Sequence, residues 1–229
     1  LFKFLNESRL NATEKKYVDY LRNWNLRNDV NEKGASVFKA IWDSLEVAVW
    51  ADEFKNANLP LQWPDESTLL EQMLKDSVVL FEDNIATPNI KETMADAVTE
   101  AIKKATPQLA QMEKDGTLAW GAYKDTRVNH LLKIPSLSRL HLPIGGGVHI
   151  INATSANHGP SWRMIVHLVD GIEAYGVYPG GQNGNPGSKY CDTFIDSWAA
   201  GKYYRLLFLS KEAAQQNSQM KWRLTFTNS

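Results

Sequence analysis

Five histidines, one cysteine and two glycine-rich runs are the residues of this 229-residue chain whose types invite chemistry. His130, His141, His149, His158 and His167 stand 8 to 11 residues apart. That spacing makes neither the i, i+4 pair of a helix nor the i, i+2 pair of a strand, so no element presents two imidazoles to a metal. They read as solvated or hydrogen-bonded structural histidines, and no metal site is expected. Cys191 lacks any signature of an activated thiol and reads as a small buried hydrophobe. Gly145-Gly146-Gly147 and Gly180-Gly181-Gln182-Asn183-Gly184-Asn185-Pro186-Gly187-Ser188 lack the Lys-Ser/Thr ending of a phosphate loop and the GxGxxG spacing ahead of a helix. The second run is a shaped loop, its glycines free to take positive φ and its amides able to satisfy backbone groups. Trp42 and Trp50, two of the eight tryptophans, sit in apolar helical patterns and belong to a core. From the residues alone, no catalytic constellation and no cofactor site emerges.

Composition narrows the class. Basic and acidic side chains number 25 and 26, so no overall charge draws the chain to nucleic acid or an anionic membrane. No run approaches the ~18 apolar residues of a membrane span. One cysteine excludes an internal disulfide. The first residues, Leu1-Phe2-Lys3-Phe4-Leu5, carry no Met and no signal-peptide pattern, as expected of a trimmed, processed or excised chain.

Two halves of opposite character must position these residues. Residues 1–115 hold 14 Lys/Arg against 20 Asp/Glu and a single glycine, Gly34; the remainder is net basic and holds 13 glycines. The first half reads as helices. Asn11 or Thr13 caps one carrying Tyr17, Tyr20, Leu21 and Trp24, and a longer one runs from Ala35 to Phe54 with an apolar stripe wide enough for burial on more than one side. Asp65 or Ser67 caps a third, carrying Leu70, Met73, Leu74 and Phe81. Thr87-Pro88 opens a fourth through Met94, Ala97, Val98 and Ala101, which Pro107 interrupts and Asp115-Gly116 stops. The second half reads as strands over 149–152, 162–168, 172–177, 203–209 and 221–226, with a two-residue hairpin at Asp170-Gly171 and a helical stretch over 191–200.

The second half also carries recognisable motifs. Gly159-Pro160-Ser161-Trp162-Arg163-Met164-Ile165-Val166, then Gly176-Val177 with Pro179-Gly180-Gly181-Gln182-Asn183-Gly184-Asn185-Pro186, then Ser197-Trp198 with Gly201-Lys202-Tyr203, closely resemble the C-terminal part of the penicillin acylase (penicillin amidase) family. Trp120-Gly121, Asn129-His130-Leu131 and the passage from Gly145-Gly146-Gly147 to Asn152-Ala153 look like earlier segments of the same region. Phe38 to Asp43 and Asp52-Glu53-Phe54 look like the helices preceding it. His167 stands where the family usually has an acid, and Lys189-Tyr190 where it has His-Tyr.

The resemblance implies an α+β chain: an N-terminal helical half (1–115) followed by a mainly antiparallel β half (116–229). Together they form one incomplete domain, the C-terminal portion of the αββα N-terminal-nucleophile hydrolase fold. It implies a parent amidohydrolase that cleaves a small N-acyl amide with a self-processed N-terminal Ser, whose hydroxyl attacks while its own α-amine takes the proton. Leu1 is not that residue, and no catalytic, cofactor-binding or metal-binding residue carries over to this chain. Gly159, Ser161, Arg163, Gly180, Gly181, Gln182 and Trp198 carry over as structural motif residues. The resemblance further implies the preceding part of the same precursor as partner, periplasmic or secreted localisation, and calcium in the parent, held mostly by carboxylates outside this segment. A chain lacking its companion would expose strand edges and apolar surface and self-associate. Two other readings are a family homologue that binds a ligand or partner without catalysis, and an enzyme using Cys191 with a histidine.

Overall fold

Asn11 starts the first helix with a capping box: its side chain accepts from the N–H groups of Thr13 and Glu14, and Glu14 accepts in return from Asn11 N–H at 2.8 Å. In the computed structural model, which describes residues 1–55, 61–75, 81–218, 222 and 224–227, that helix, α1 (Ala12–Arg22), turns Tyr17, Val18 and Leu21 inward. The long second helix is α2 (Lys33–Lys55). Val37, Ile41, Leu45, Val49 and Trp50 are fully buried along it, and Ala40 and Trp42 on flanking faces are buried too. Gly34 has a specific reason to be glycine: a Cβ there would stand 2.4 Å from Cβ and Cγ of Trp24. The absent side chain lets that indole lie against the first turn of α2.

Asp65 caps α3 (Glu66–Leu74) through Ser67 N–H. The helix ends earlier than its apolar pattern predicts, because Lys75 is already extended. Phe81 lies outside it in a turn, packed 5.2 Å from Trp50. The next helix, α4 (Met94–Lys114), starts at Thr93 rather than Thr87. Thr93 and Asp96 form a reciprocal capping box, whereas the Thr87 hydroxyl is already bonded to Glu92 and Asn84. Nor does Pro107 interrupt α4. The proline removes one ladder hydrogen bond, but Ala101, Ile102, Ala105 and Leu109 are buried around it and packing against α2 holds the helix. Asp115 and Gly116, at φ +72°, stop it as the sequence predicts.

The sequence reading misses a short helix, α5 (Trp120–Lys124), and two short strands, β1 (Thr126–Val128) and β2 (Arg139–Leu142), which pair with each other. The strand expected over 149–152 is a turn: Gly147 N–H bonds Asn152 O at 3.1 Å and Ile151 is fully exposed, so no ladder forms. Beyond it, β3 (Arg163–His167) pairs antiparallel with β4 (Glu173–Val177), running from Arg163↔Val177 to His167↔Glu173. The connection is therefore longer than the expected two-residue turn. A two-residue turn at Asp170-Gly171 would slip the register by one and exchange the faces of β3. The present register puts Met164 opposite Gly176, where a Cβ would lie 2.5 Å from the Trp162 ring, so the indole over Gly176 fixes the pairing. After α6 (Ile195–Ala199), β5 (Tyr204–Leu206) pairs with β4 and completes the order β3-β4-β5; α7 (Lys211–Gln216) follows. Of the strand expected over 221–226, Trp222 and residues 224–226 are described and form none.

The chain thus has a helical N-terminal half followed by antiparallel strands, an α+β arrangement. It divides into two compact units, Leu1–Arg127 with Leu140–Asn157, and Val128–Arg139 with His158–Ser229. The first holds the large apolar core built on α1, α2 and α4. In the second, β3 with the residue that follows it, and the stretch after β5, expose Met164, Ile165, Val166, Leu168, Leu207 and Phe208. Among the described residues, no helix is long and apolar enough to cross a membrane.

Candidate functional site

In the second unit the motif residues are spent on one another. Trp198 of α6, 1% exposed, donates its indole N–H to Pro160 O at 2.9 Å. Its own carbonyl accepts from Arg163 Nη1 at 2.6 Å, and the Arg163 guanidinium lies 5.0 Å from its ring. The segment opened by Gly159 is thereby tied to α6, and β3 is tied to it at its first residue. Burial lowers the Arg163 pKa from its ordinary value, and Nε and Nη2 are buried without a hydrogen-bond partner among the described residues. Ser161, beside these residues in sequence, is exposed.

The loop after β4 folds back on α6. Phe194 N–H bonds Gly180 O at 2.8 Å, Asn183 N–H bonds Tyr190 O at 3.2 Å, and the Tyr178 hydroxyl donates to Gly181 O at 3.0 Å. A Cβ on Gly181 would stand 2.0 Å from Tyr190 O and 2.5 Å from the Cys191 carbonyl carbon. Gly181 therefore serves close backbone approach. Gln182 is exposed on the loop's outer side. Rings of Trp162, Tyr178, Phe194 and Tyr204 follow one another at 6.4, 5.1 and 5.0 Å between centroids, joining loop, sheet and α6.

In the first unit, the triple glycine is held by a group that no sequence motif singles out. Lys124, at the end of α5, is buried and donates to Gly145 O at 2.9 Å, Gly146 O at 3.2 Å and the Thr154 hydroxyl. Trp120 Nε1 adds a bond to Gly146 O at 2.6 Å. Gly146 sits at φ +93°, and a Cβ there would lie 2.1 Å from Asn152 O. The glycines let the loop wrap the lysine closely; no phosphate cradle is needed to explain them.

Groups with catalytic potential do not converge. Among the described residues no imidazole hydrogen-bonds the Cys191 thiol; His141 pairs with Asp125 at 2.7 Å and His149 with Glu66. Among the described residues no group of three or more His, Cys, Asp or Glu side chains could hold a metal ion. One carboxyl is strongly perturbed. Burial, reinforced by a hydrogen bond that the protonated Glu53 donates to the neighbouring Asp52 carboxylate, pushes Glu53 up to about 7, and its Oε2 is buried without a partner among the described residues. Below the ordinary carboxyl range both folded and unfolded chains hold this proton; between about 4.5 and about 7 only the folded chain does. Stability is therefore expected to fall as pH rises through that window and to level off above it. Glu53→Gln should abolish that fall in urea denaturation midpoints compared at pH 4.5, 6 and 8, and an unchanged pH profile would remove Glu53 as its source.

A family model described as Penicillin amidase matches residues 2–215. Among curated proteins, none matches the chain.

Proposed function

The chain belongs to the penicillin amidase family, and from that premise we propose that it is the C-terminal part of an amidohydrolase whose self-processed N-terminal Ser lies outside it. The parent would cleave a small N-acyl amide. The Ser hydroxyl oxygen bonds to the acyl carbon while its proton passes to that Ser's own α-amine, a base titrating at ~8. The C–N bond then breaks, the amine leaves with that proton, and water releases the acid. The role of this chain in that scheme is architectural: it completes the core that carries the nucleophile. The observation that favours this role is the use of the motif residues, with Arg163, Trp198 and Gly181 bound into the second unit's own packing. Calcium, if the parent holds it, would be ligated outside the described residues, and localisation would be periplasmic or secreted as for the family.

The partner in this proposal is the preceding part of the same precursor, seated on the apolar surface of β3 and β5. The test is the intact mass and N-terminal residue of the natural polypeptide, paired with light scattering of the 229-residue chain alone. A larger natural chain beginning with Ser, Thr or Cys, and concentration-dependent association of the isolated chain, are expected. A natural chain beginning near Leu1, or a clean monomer across a concentration series, would overturn the proposal and favour a non-catalytic binding protein.

A further inference from the structure

Within the first unit lies a cavity of about 760 Å³, a volume suited to a small organic molecule. Its walls are flat and aromatic. Trp24, Phe38 and Trp42 follow one another at 5.7 Å between successive centroids, with interplanar angles of 33° and 24°. Trp120 and Tyr123 are stacked at 5.8 Å and 16°. All five rings line the space. Each indole N–H is already used: Trp24 donates to Arg27 O at 2.8 Å, Trp120 to Gly146 O at 2.6 Å, and Trp42 bonds the Glu46 carboxyl. The tryptophans therefore offer a ligand ring surface and little else, and Trp120 already carries the Lys124 ammonium 5.6 Å from its ring centroid.

Charge within the cavity is equally committed. Lys39 pairs with Asp43, Glu66 with His149, Asp65 caps α3, and Lys124 holds the glycine loop. A charged ligand would surrender its water without meeting an unpaired counter-charge, which costs affinity. Tyr123 differs: its side chain lines the space and its hydroxyl has no hydrogen-bond partner among the described residues. We propose that this cavity binds an uncharged, planar aromatic molecule of one or two fused rings, stacked on the tryptophan and phenylalanine faces with one polar substituent at the Tyr123 hydroxyl. The reading is independent of how the family's amide chemistry is organised.

The probe is 2-naphthol, titrated calorimetrically into the full 229-residue chain, with 2-naphthoate and 2-naphthylmethylammonium as charged counterparts. Saturable binding of 2-naphthol is expected, at least about tenfold tighter than either ion. Tyr123→Phe should weaken 2-naphthol about three- to tenfold while leaving naphthalene unchanged. Ala156→Phe, which adds bulk to the cavity lining, should abolish binding; if that variant fails to fold, Leu70→Ala at the exposed rim should weaken it at least about threefold. No saturable binding, equal affinity for the ions, or affinity indifferent to the cavity substitutions in folded protein would each overturn the proposal.

Discussion

Gly181→Val is expected to unfold or severely loosen the second unit, with a stability loss of at least ~3 kcal/mol and a melting temperature lower by roughly 6–12 °C. The cause is steric. The clashing atoms, Tyr190 O and the Cys191 carbonyl, are backbone, so no rotamer change can relieve the 2.0 and 2.5 Å approaches. Relief requires the loop to part from the Tyr190–Cys191 segment, which strains the Asn183–Tyr190 and Gly180–Phe194 hydrogen bonds and the Tyr178 hydroxyl bond to Gly181 O. Since Cβ alone makes the clash, Gly181→Ala should already show most of the loss. Gly184→Ala, where a Cβ meets nothing within 4 Å, should be close to neutral and serves as the control in the same loop. In the parent amidohydrolase proposed above, a buttress of this kind predicts less mature protein with an unchanged ratio of kcat/KM between two acyl groups. Normal maturation with altered acyl preference would place Gly181 at the substrate instead.

How much of this was legible follows from what each feature depends on. The helix α2 could be read because its signal is local: apolar residues at three- and four-residue spacing, repeated along more than five turns' worth of sequence. The stop at Asp115-Gly116 was equally local, a left-handed glycine after the last turn. Thr87-Pro88 misled because the cap that forms is Thr93, set by its reciprocal pairing with Asp96 three residues beyond it. Pro107 misled because its lost hydrogen bond is a local cost, while the burial of Ala105 and Leu109 that outweighs it is tertiary. The hairpin length turned on Trp162 lying over Gly176, a contact across the ladder that the dipeptide Asp170-Gly171 does not encode. The motif residues around Arg163 and Trp198 were visible by resemblance, yet their mutual contact was not. Lys124 was invisible because two of its acceptors, Gly145 O and Gly146 O, are backbone carbonyls, and a carbonyl leaves no mark in a sequence.

Lys124→Met should cost about 2–4 kcal/mol, the second large loss expected here. Two effects compete. Removing the charge also removes the penalty for desolvating a buried ammonium, which favours methionine. Against this, the ammonium supplies donors from one atom to Gly145 O, Gly146 O and the Thr154 hydroxyl, and no neutral side chain can make three such bonds from a single nitrogen. Both carbonyls keep a partner without it, Gly145 O from Thr154 and Asn152, and Gly146 O from Trp120. Lost hydrogen bonds therefore dominate, while the absence of wholly orphaned carbonyls keeps the cost below that of a broken buried ion pair. Lys124→Arg should not restore stability, because a planar fork cannot take the place of a compact ammonium among these acceptors. A double-mutant cycle with Thr154→Val should give a coupling of about 1–2 kcal/mol. Hydrogen exchange locates the effect: the amides of Gly146 and Gly147, bonded to Asn28 O and Asn152 O, should lose protection before those of α2 and α4. Uniform loss of protection across the first unit would mean that Lys124 supports the whole core, and unchanged stability would mean that the glycine loop keeps its shape without the lysine.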